Sequence, residues 1–315
     1  MNSSFCGRKI LHYSLVCMML CFGFTGVSGD TMVWNDEFSG SLIDTTRWSF
    51  DLGTGAPALT GWGNNELQYY TSNPANVSIV NGKLCINAIK ESYQGSDYTS
   101  ARIQTKLKGD WTYGRFEIRA KLPKGKGIWP AIWMLPTDNF YGGWAASGEI
   151  DIMELLGHEP AKIYGTIHFG GAWPDNQSST ETYTLPKGDF SDDFHTFAIE
   201  WDTEGISWYV DSIRYSVKPH KQPFDKRFYL IMNLAVGGNW PGNPDGSTVF
   251  PVRMEVDYVR VYASPTAIRQ EYRRQRILMK QQKVTNYSTL LNGKVTASVQ
   301  NTKTVNKTIG LQSVK

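Results

Sequence analysis

Tyr-Gly-Arg-Phe-Glu-Ile-Arg-Ala-Lys-Leu, residues 113–122, alternates apolar and polar side chains almost without a break. Successive side chains of an extended chain point to opposite faces, so Phe116, Ile118 and Ala120 share one face and Arg115, Glu117 and Arg119 the other. A helix would scatter these residues around its circumference, whereas a strand with one wet face sorts them. The same period returns in Phe194–Trp201 (FHTFAIEW), Ile206–Val210 (ISWYV) and Met254–Tyr262 (MEVDYVRVY). Turn residues separate the runs: Asn81-Gly82, Lys124-Gly125 and Asp202-Thr203-Glu204-Gly205. An aromatic content of 13% beside 30 Gly and 14 Pro suits strands and tight turns and argues against a helical bundle. The expected fold is all-β, an antiparallel β-sandwich of the jelly-roll type with a concave substrate cleft, built as one domain over residues 30–265.

The two ends read differently. Arg8 and Lys9 precede a mostly apolar run from Ile10 to Phe24, and Val27-Ser28-Gly29 supplies small residues for a leader peptidase, so residues 1–29 are expected to be a signal peptide. The run is interrupted by His12, Tyr13 and Ser14 and falls short of a bilayer span, so no membrane span is expected. A lipid anchor on Cys17 or Cys21 would follow Val16 or Leu20, both bulkier than the residue usual before a lipidated cysteine. The expected location is secreted, cell-surface or periplasmic. Cys6, Cys17 and Cys21 leave with the leader, and Cys85 remains within an alternating strand as a buried thiol.

After Pro265 the chain loses Trp and Phe, and residues 266–315 carry ten Lys/Arg against Glu271 alone. This segment reads as a basic, disordered tail. Of the formal net charge of +3, the leader holds +2 and the tail +9, which leaves residues 30–265 at −8. A domain of that sign repels a phosphate backbone, so nucleic acid is excluded as its partner.

Gly148-Glu149-Ile150-Asp151-Ile152-Met153-Glu154 interleaves three acids with large apolar residues. In a regular strand Glu154 would point away from Glu149 and Asp151, burying either an acid or most of the apolar set. A bulge at Ile152-Met153 adds one residue and returns Glu154 to their face. Three crowded carboxylates should raise at least one pKa. Two glutamates over an intervening aspartate supply a nucleophile and a proton donor for glycoside hydrolysis, and carboxyls about 5–5.5 Å apart would give retention. Trp129 and Trp133 stand four apart on one strand face, and with Trp144 they offer flat indoles on which sugar C–H faces stack.

With Gly-Ile-Trp-Pro-Ala-Ile-Trp-Met-Leu-Pro (127–136), the Glu-Ile-Asp-Ile-Met-Glu motif resembles the family 16 glycoside hydrolases. The likeness extends from Val33-Trp34-Asn35-Asp36-Glu37-Phe38 to Val256-Asp257-Tyr258-Val259-Arg260-Val261-Tyr262. The bulged motif resembles the laminarinase branch rather than the lichenase or xyloglucan branches, and agarases and carrageenases share the bulge. The stretches 61–71 (GWGNNELQYYT) and 232–242 (MNLAVGGNWPG) are similar to endo-1,3-β-glucanases. The resemblance implies Glu149 as nucleophile, Glu154 as acid/base, Asp151 as the residue ordering the nucleophile, and His168 as a neighbour of the catalytic centre. It implies sugar contacts by Asn64, Arg102, Trp129, Trp133 and Trp144. It also implies no catalytic cofactor and one structural Ca²⁺ held on the convex side around Glu37, Gly82 and Asp257, largely by backbone oxygens. The expected partner is a β-glucan polysaccharide cut at internal β-1,3 linkages, by a monomer. A glucan transglycosylase and a non-catalytic β-glucan recognition protein are the competing readings, and the intact glutamates disfavour the second.

Overall fold

The computed structural model describes residues 31–219 and 222–263; the expected leader and basic tail lie outside them. With strands numbered in chain order, the back sheet runs β16 (Ile213–Pro219), β15 (Gly205–Val210), β14 (His195–Trp201), β9 (Gly114–Lys121), β18 (Val252–Ala263), β5 (Lys83–Tyr93), β6 (Ser96–Ser100), β3 (Gln68–Tyr70). Two further strands join it, β1 (Thr31–Asp36) on β18 and β4 (Val77–Val80) on β5. The front sheet runs β13 (Asn176–Thr184), β12 (Lys162–Gly170), β11 (Glu149–Leu155), β10 (Ile128–Pro136), β17 (Phe228–Val236), β7 (Arg102–Gln104), β2 (Ser49–Asp51), with β8 (Asp110–Trp111) also on β17. The molecule is thus an all-β jelly-roll sandwich of two largely antiparallel sheets. The departure from the antiparallel expectation is the edge strand β3, which lies parallel to β6.

The alternation read at 113–122 places Phe116, Ile118 and Ala120 in the core and leaves the charged residues between them partly exposed. Asn81-Gly82 joins β4 to β5, and Asp202–Gly205 joins β14 to β15. In β18 the alternation slips: Val256 and Val259 both face the core because the register shifts between Val256 and Tyr258. Strand β17 is buried along its whole length. Its Phe228, Leu230, Met232, Leu234 and Val236 enter the core. The intervening Tyr229, Ile231, Asn233 and Ala235 are covered beneath the front-face side chains. Trp48, Trp201 and Trp208 are completely buried in the core, and Cys85 is a buried free thiol. No helix among the described residues is long and apolar enough to cross a membrane.

Candidate active site

Strand β11 carries the three acids, and its pairing shows how they come to one face. Asp151 pairs with Thr166 and Glu154 with Tyr164, so three steps along β11 match two along β12. On the other side, Met153 and Asp151 lie opposite consecutive residues Ile132 and Trp133 of β10. The extra residue is Ile152, which stays in the core with Ile150, Met153 and Leu155. A bulge leaves main-chain groups without ladder partners. At the bulge the carbonyl of Asp151 accepts a 2.8 Å hydrogen bond from the buried indole Nε1 of Trp208, reaching across from β15. The back sheet therefore pins the irregular point of the front sheet.

Gly148 sets the entry to the strand. Its φ is +89°, and a Cβ there would lie 2.8 Å from Pro223 and 3.0 Å from Phe224. Any side chain would strain the backbone and push the ring cluster under Glu149.

Each glutamate accepts an indole N–H: Trp144 Nε1 donates to Glu149 Oε2 at 2.6 Å, and Trp129 Nε1 to Glu154 Oε1 at 3.1 Å. His168, directly across from Glu149 on β12, holds Nε2 3.3 Å from Asp151 Oδ2 and 3.8 Å from Glu149 Oε1. Only 15% of the Glu149 side chain and 3% of that of Asp151 is exposed. Burial pushes Glu149 up to about 8, and the adjoining Asp151 charge acts in the same direction. Burial likewise raises Asp151 to about 8, and the two carboxyls are hydrogen-bonded to each other. Glu154 is raised well above the ordinary carboxylate range by burial first and then by the charges of Asp151 and Glu149. Burial and crowding therefore favour the protonated forms, the state Glu154 needs as an acid, whereas the indoles and His168 favour the charged forms of the two glutamates.

Trp133 and Arg102 extend the face toward β7. The Arg102 guanidinium lies 4.8 Å from the Trp133 ring and 4.5 Å from that of Trp62, with Nε 2.8 Å from Asp51 Oδ2. Trp133 Nε1 donates to Asn233 Oδ1 at 2.7 Å, and Asn233 Nδ2 donates to Tyr70 Oη at 3.0 Å. Tyr70 in turn donates to Glu66 Oε2, which also accepts a 2.6 Å bond from Gln68. Burial raises Glu66, opposed by the hydrogen bond from Gln68 and the charge of Arg102. Asn64 is exposed, and its carbonyl and Trp129 flank Gly238 at 3.2 and 3.4 Å from the point a Cβ would take.

Trp240 was not singled out by sequence reasoning, nor were Trp62, Tyr164 and the Glu66–Tyr70–Asn233 chain. Trp240 meets Trp129 edge-on at 5.6 Å and Tyr164 at 4.7 Å, which makes an aromatic wall beside Glu154. Trp240 and Trp62 both lie in the quoted 232–242 and 61–71 stretches, so the signal was an aromatic residue within a Gly- and Asn-rich loop.

Glu37, Gly82 and Asp257 lie on or beside strands of the back sheet, apart from this face. Glu37 accepts two bonds from Arg260, 2.9 and 2.8 Å, and Asp257 Oδ2 accepts from Arg119. These arginines occupy the carboxylates, so a hard cation at Glu37, Gly82 and Asp257 would find main-chain oxygens and the remaining Asp257 oxygen rather than a carboxylate cage.

The sequence profile of "Glycosyl hydrolases family 16" matches residues 62–260. A glucan endo-1,3-beta-glucosidase A1 of Niallia circulans is 46% identical over 75% of this chain, which spans 38% of that longer protein. A beta-glucanase of Rhodothermus marinus is 45% identical over 73% of this chain and 84% of its own length. The solved catalytic domain of an endo-1,3-beta-glucanase (laminarinase) from Thermotoga petrophila superposes with a TM-score of 0.70 at 48% identity, covering 75% of this chain and 99% of that one.

Proposed function

The chain belongs to glycosyl hydrolase family 16, and on that premise we propose that it is a retaining endo-1,3-β-glucanase acting on laminarin-type polymers. The observation that carries the reading is the bulged β11, which puts Glu149, Asp151 and Glu154 on one aromatic-lined face. Ionised Glu149 attacks the anomeric carbon while Glu154 delivers its proton to the departing glycosidic oxygen, giving a covalent glycosyl-enzyme and a free sugar end. Bonding to Glu149 removes the charge that had raised Glu154, so Glu154 becomes acidic enough to serve as the base that deprotonates water. Water then attacks the same carbon, Glu149 leaves, and the original configuration returns. Asp151 and Trp144 hold the nucleophile in place through their hydrogen bonds to it.

The acidic, aromatic face suits a neutral glucan, with mixed β-1,3/1,4-glucan as a secondary substrate, and disfavours sulfated galactans, whose sulfates need cations. Product analysis on laminarin with and without an oligosaccharide acceptor separates hydrolysis from transglycosylation and from binding alone. A viscosity fall ahead of reducing-end release, with the β-anomer first in proton NMR, is the expected result. Glucose as the sole early product would overturn endo action, and an initial α-anomer would overturn retention. Export through cleavage near Gly29 is part of this reading and is tested by N-terminal sequencing of the mature protein. A structural Ca²⁺ near Glu37, Gly82 and Asp257 is tested by EDTA, which should lower Tm and leave kcat intact.

A further inference from the structure

Three donor atoms on the front face come from different side chains and converge: His168 Nε2, Asp151 Oδ2 and Glu149 Oε1 all lie within 4.8 Å of one another. The His168–Asp151 separation is 3.3 Å and the His168–Glu149 separation 3.8 Å. Around Zn²⁺, with bonds near 2.0–2.2 Å, tetrahedral donors stand about 3.4 Å apart. A second observation is independent of that spacing. Asp151 is 2% exposed, yet among the described residues its Oδ2 has no hydrogen-bond partner. A buried carboxylate oxygen left without a donor is costly, and it faces the imidazole and Glu149 rather than the core.

We propose that Glu149, Asp151 and His168 form an inhibitory Zn²⁺ site on the front face, with the fourth corner of the tetrahedron open to water. One imidazole nitrogen with two carboxylate oxygens is a borderline donor set, which selects Zn²⁺ or Cu²⁺ over Ca²⁺ and Mg²⁺. The ion takes a Glu149 oxygen needed for attack and stands where the sugar must lie, so it competes with glucan. Among the described residues no side chain or main-chain oxygen accepts from the buried His168 Nδ1, unlike the protein acceptors that orient histidine in resident zinc centres. Binding is accordingly reversible by a chelator, unlike that of a built-in cofactor.

The inhibition rests on the hydrolase reading, whereas the binding does not, and the test keeps them apart. Zn²⁺ is titrated calorimetrically into the full chain, then into Asp151→Asn and His168→Asn, each checked for its thermal transition. The expected result is one ion per chain, with Kd raised at least tenfold in each variant. His195→Asn is the control, because His195 pairs with Asp211 on another strand, and it should leave Kd unchanged. X-ray absorption of the wild-type zinc complex should show one imidazole with oxygen donors, which keeps the proposal testable should either variant fail to fold. On laminarin, Zn²⁺ should raise apparent KM without lowering kcat, EDTA should restore the rate, and Mg²⁺ should do nothing. Unchanged Kd in Asp151→Asn and His168→Asn, or an all-oxygen shell, overturns the site. A chain that binds Zn²⁺ as expected but cuts no glucan overturns the function and leaves the site standing.

Discussion

Beside the back sheet, Glu37 lies against Arg260, Glu117 and Glu200 share Arg115, and Asp257 holds Arg119. On the front face Glu149, Asp151 and Glu154 lie against one another, with indole N–H groups and an imidazole as their neighbours. The arginine bond lowers Glu37 below the ordinary carboxylate range, and burial raises the front three above it, with repulsion from neighbouring carboxylates adding to the rise of Glu149 and Glu154. The same side chain is thus a solvated structural charge on one sheet and a proton-holding group on the other. Proton linkage makes the difference measurable. Glu37 favours its ionised form in the fold, so its stabilisation is present above the unfolded carboxyl pKa and lost as pH falls. The front carboxyls keep protons that the unfolded chain would release, so their contribution weakens as pH climbs from about 4 toward 8.

The sharpest way to break that contrast is to neutralise the front acids. Glu149→Gln and Glu154→Gln should each lower kcat on laminarin by about 10³-fold or more. At pH 7.5 each should also raise Tm by about 2–8 °C, with no gain at pH 4, because the amide removes a carboxyl the fold disfavours ionising. Unchanged or lower Tm at pH 7.5 would mean that the front cluster is not strained by its charge.

Removing the anchor of the bulge comes next. Trp208→Phe strands the buried Asp151 carbonyl and should cost about 1–3 kcal/mol by urea unfolding, with a lower kcat as the acids lose their shared face. Gly148→Ala should cost a similar amount through its φ of +89° and the clash with Pro223. A wild-type kcat in Trp208→Phe would show that the bulge holds without the back sheet.

Trp144→Phe keeps a ring but deletes the donor to Glu149, and it sharpens the question of what Trp144 does. Loss of one such bond predicts a roughly tenfold lower kcat and an acidic limb of the pH–rate profile moved upward, with KM little changed. A raised KM at constant kcat would instead make the indole a sugar platform.

Glu37→Gln tests the other side, and its effect should be the smallest. The pair with Arg260 is about one-third exposed, so solvent screening limits the loss to about 1 kcal/mol or less, with kcat unchanged. A larger loss that disappears when calcium is chelated would tie Glu37 to a bound ion instead.

Periodicity read from residues alone located the strands around Gly114–Lys121, His195–Trp201 and Gly205–Val210 to within a residue or two, because burial on one face imposes a two-residue repeat that any extended chain must display. The bulge in β11 was legible for the same reason: three acids and four apolar residues could not be sorted between two faces without an inserted residue. Sequence also singled out the residues that resemble a known hydrolase motif. Tertiary structure alone decided which tryptophans are core and which line the face, since Trp208 and Trp133 both occur in apolar strand contexts. It alone joined Trp208 to the Asp151 carbonyl, 57 residues apart, and Trp133 to Glu66 through Asn233 and Tyr70. It also gave the convex acids to arginines and left the front acids to one another. Local pattern records which face a side chain takes, but the partner on that face comes from a distant strand, and the pKa depends on that partner and on the depth of water above it.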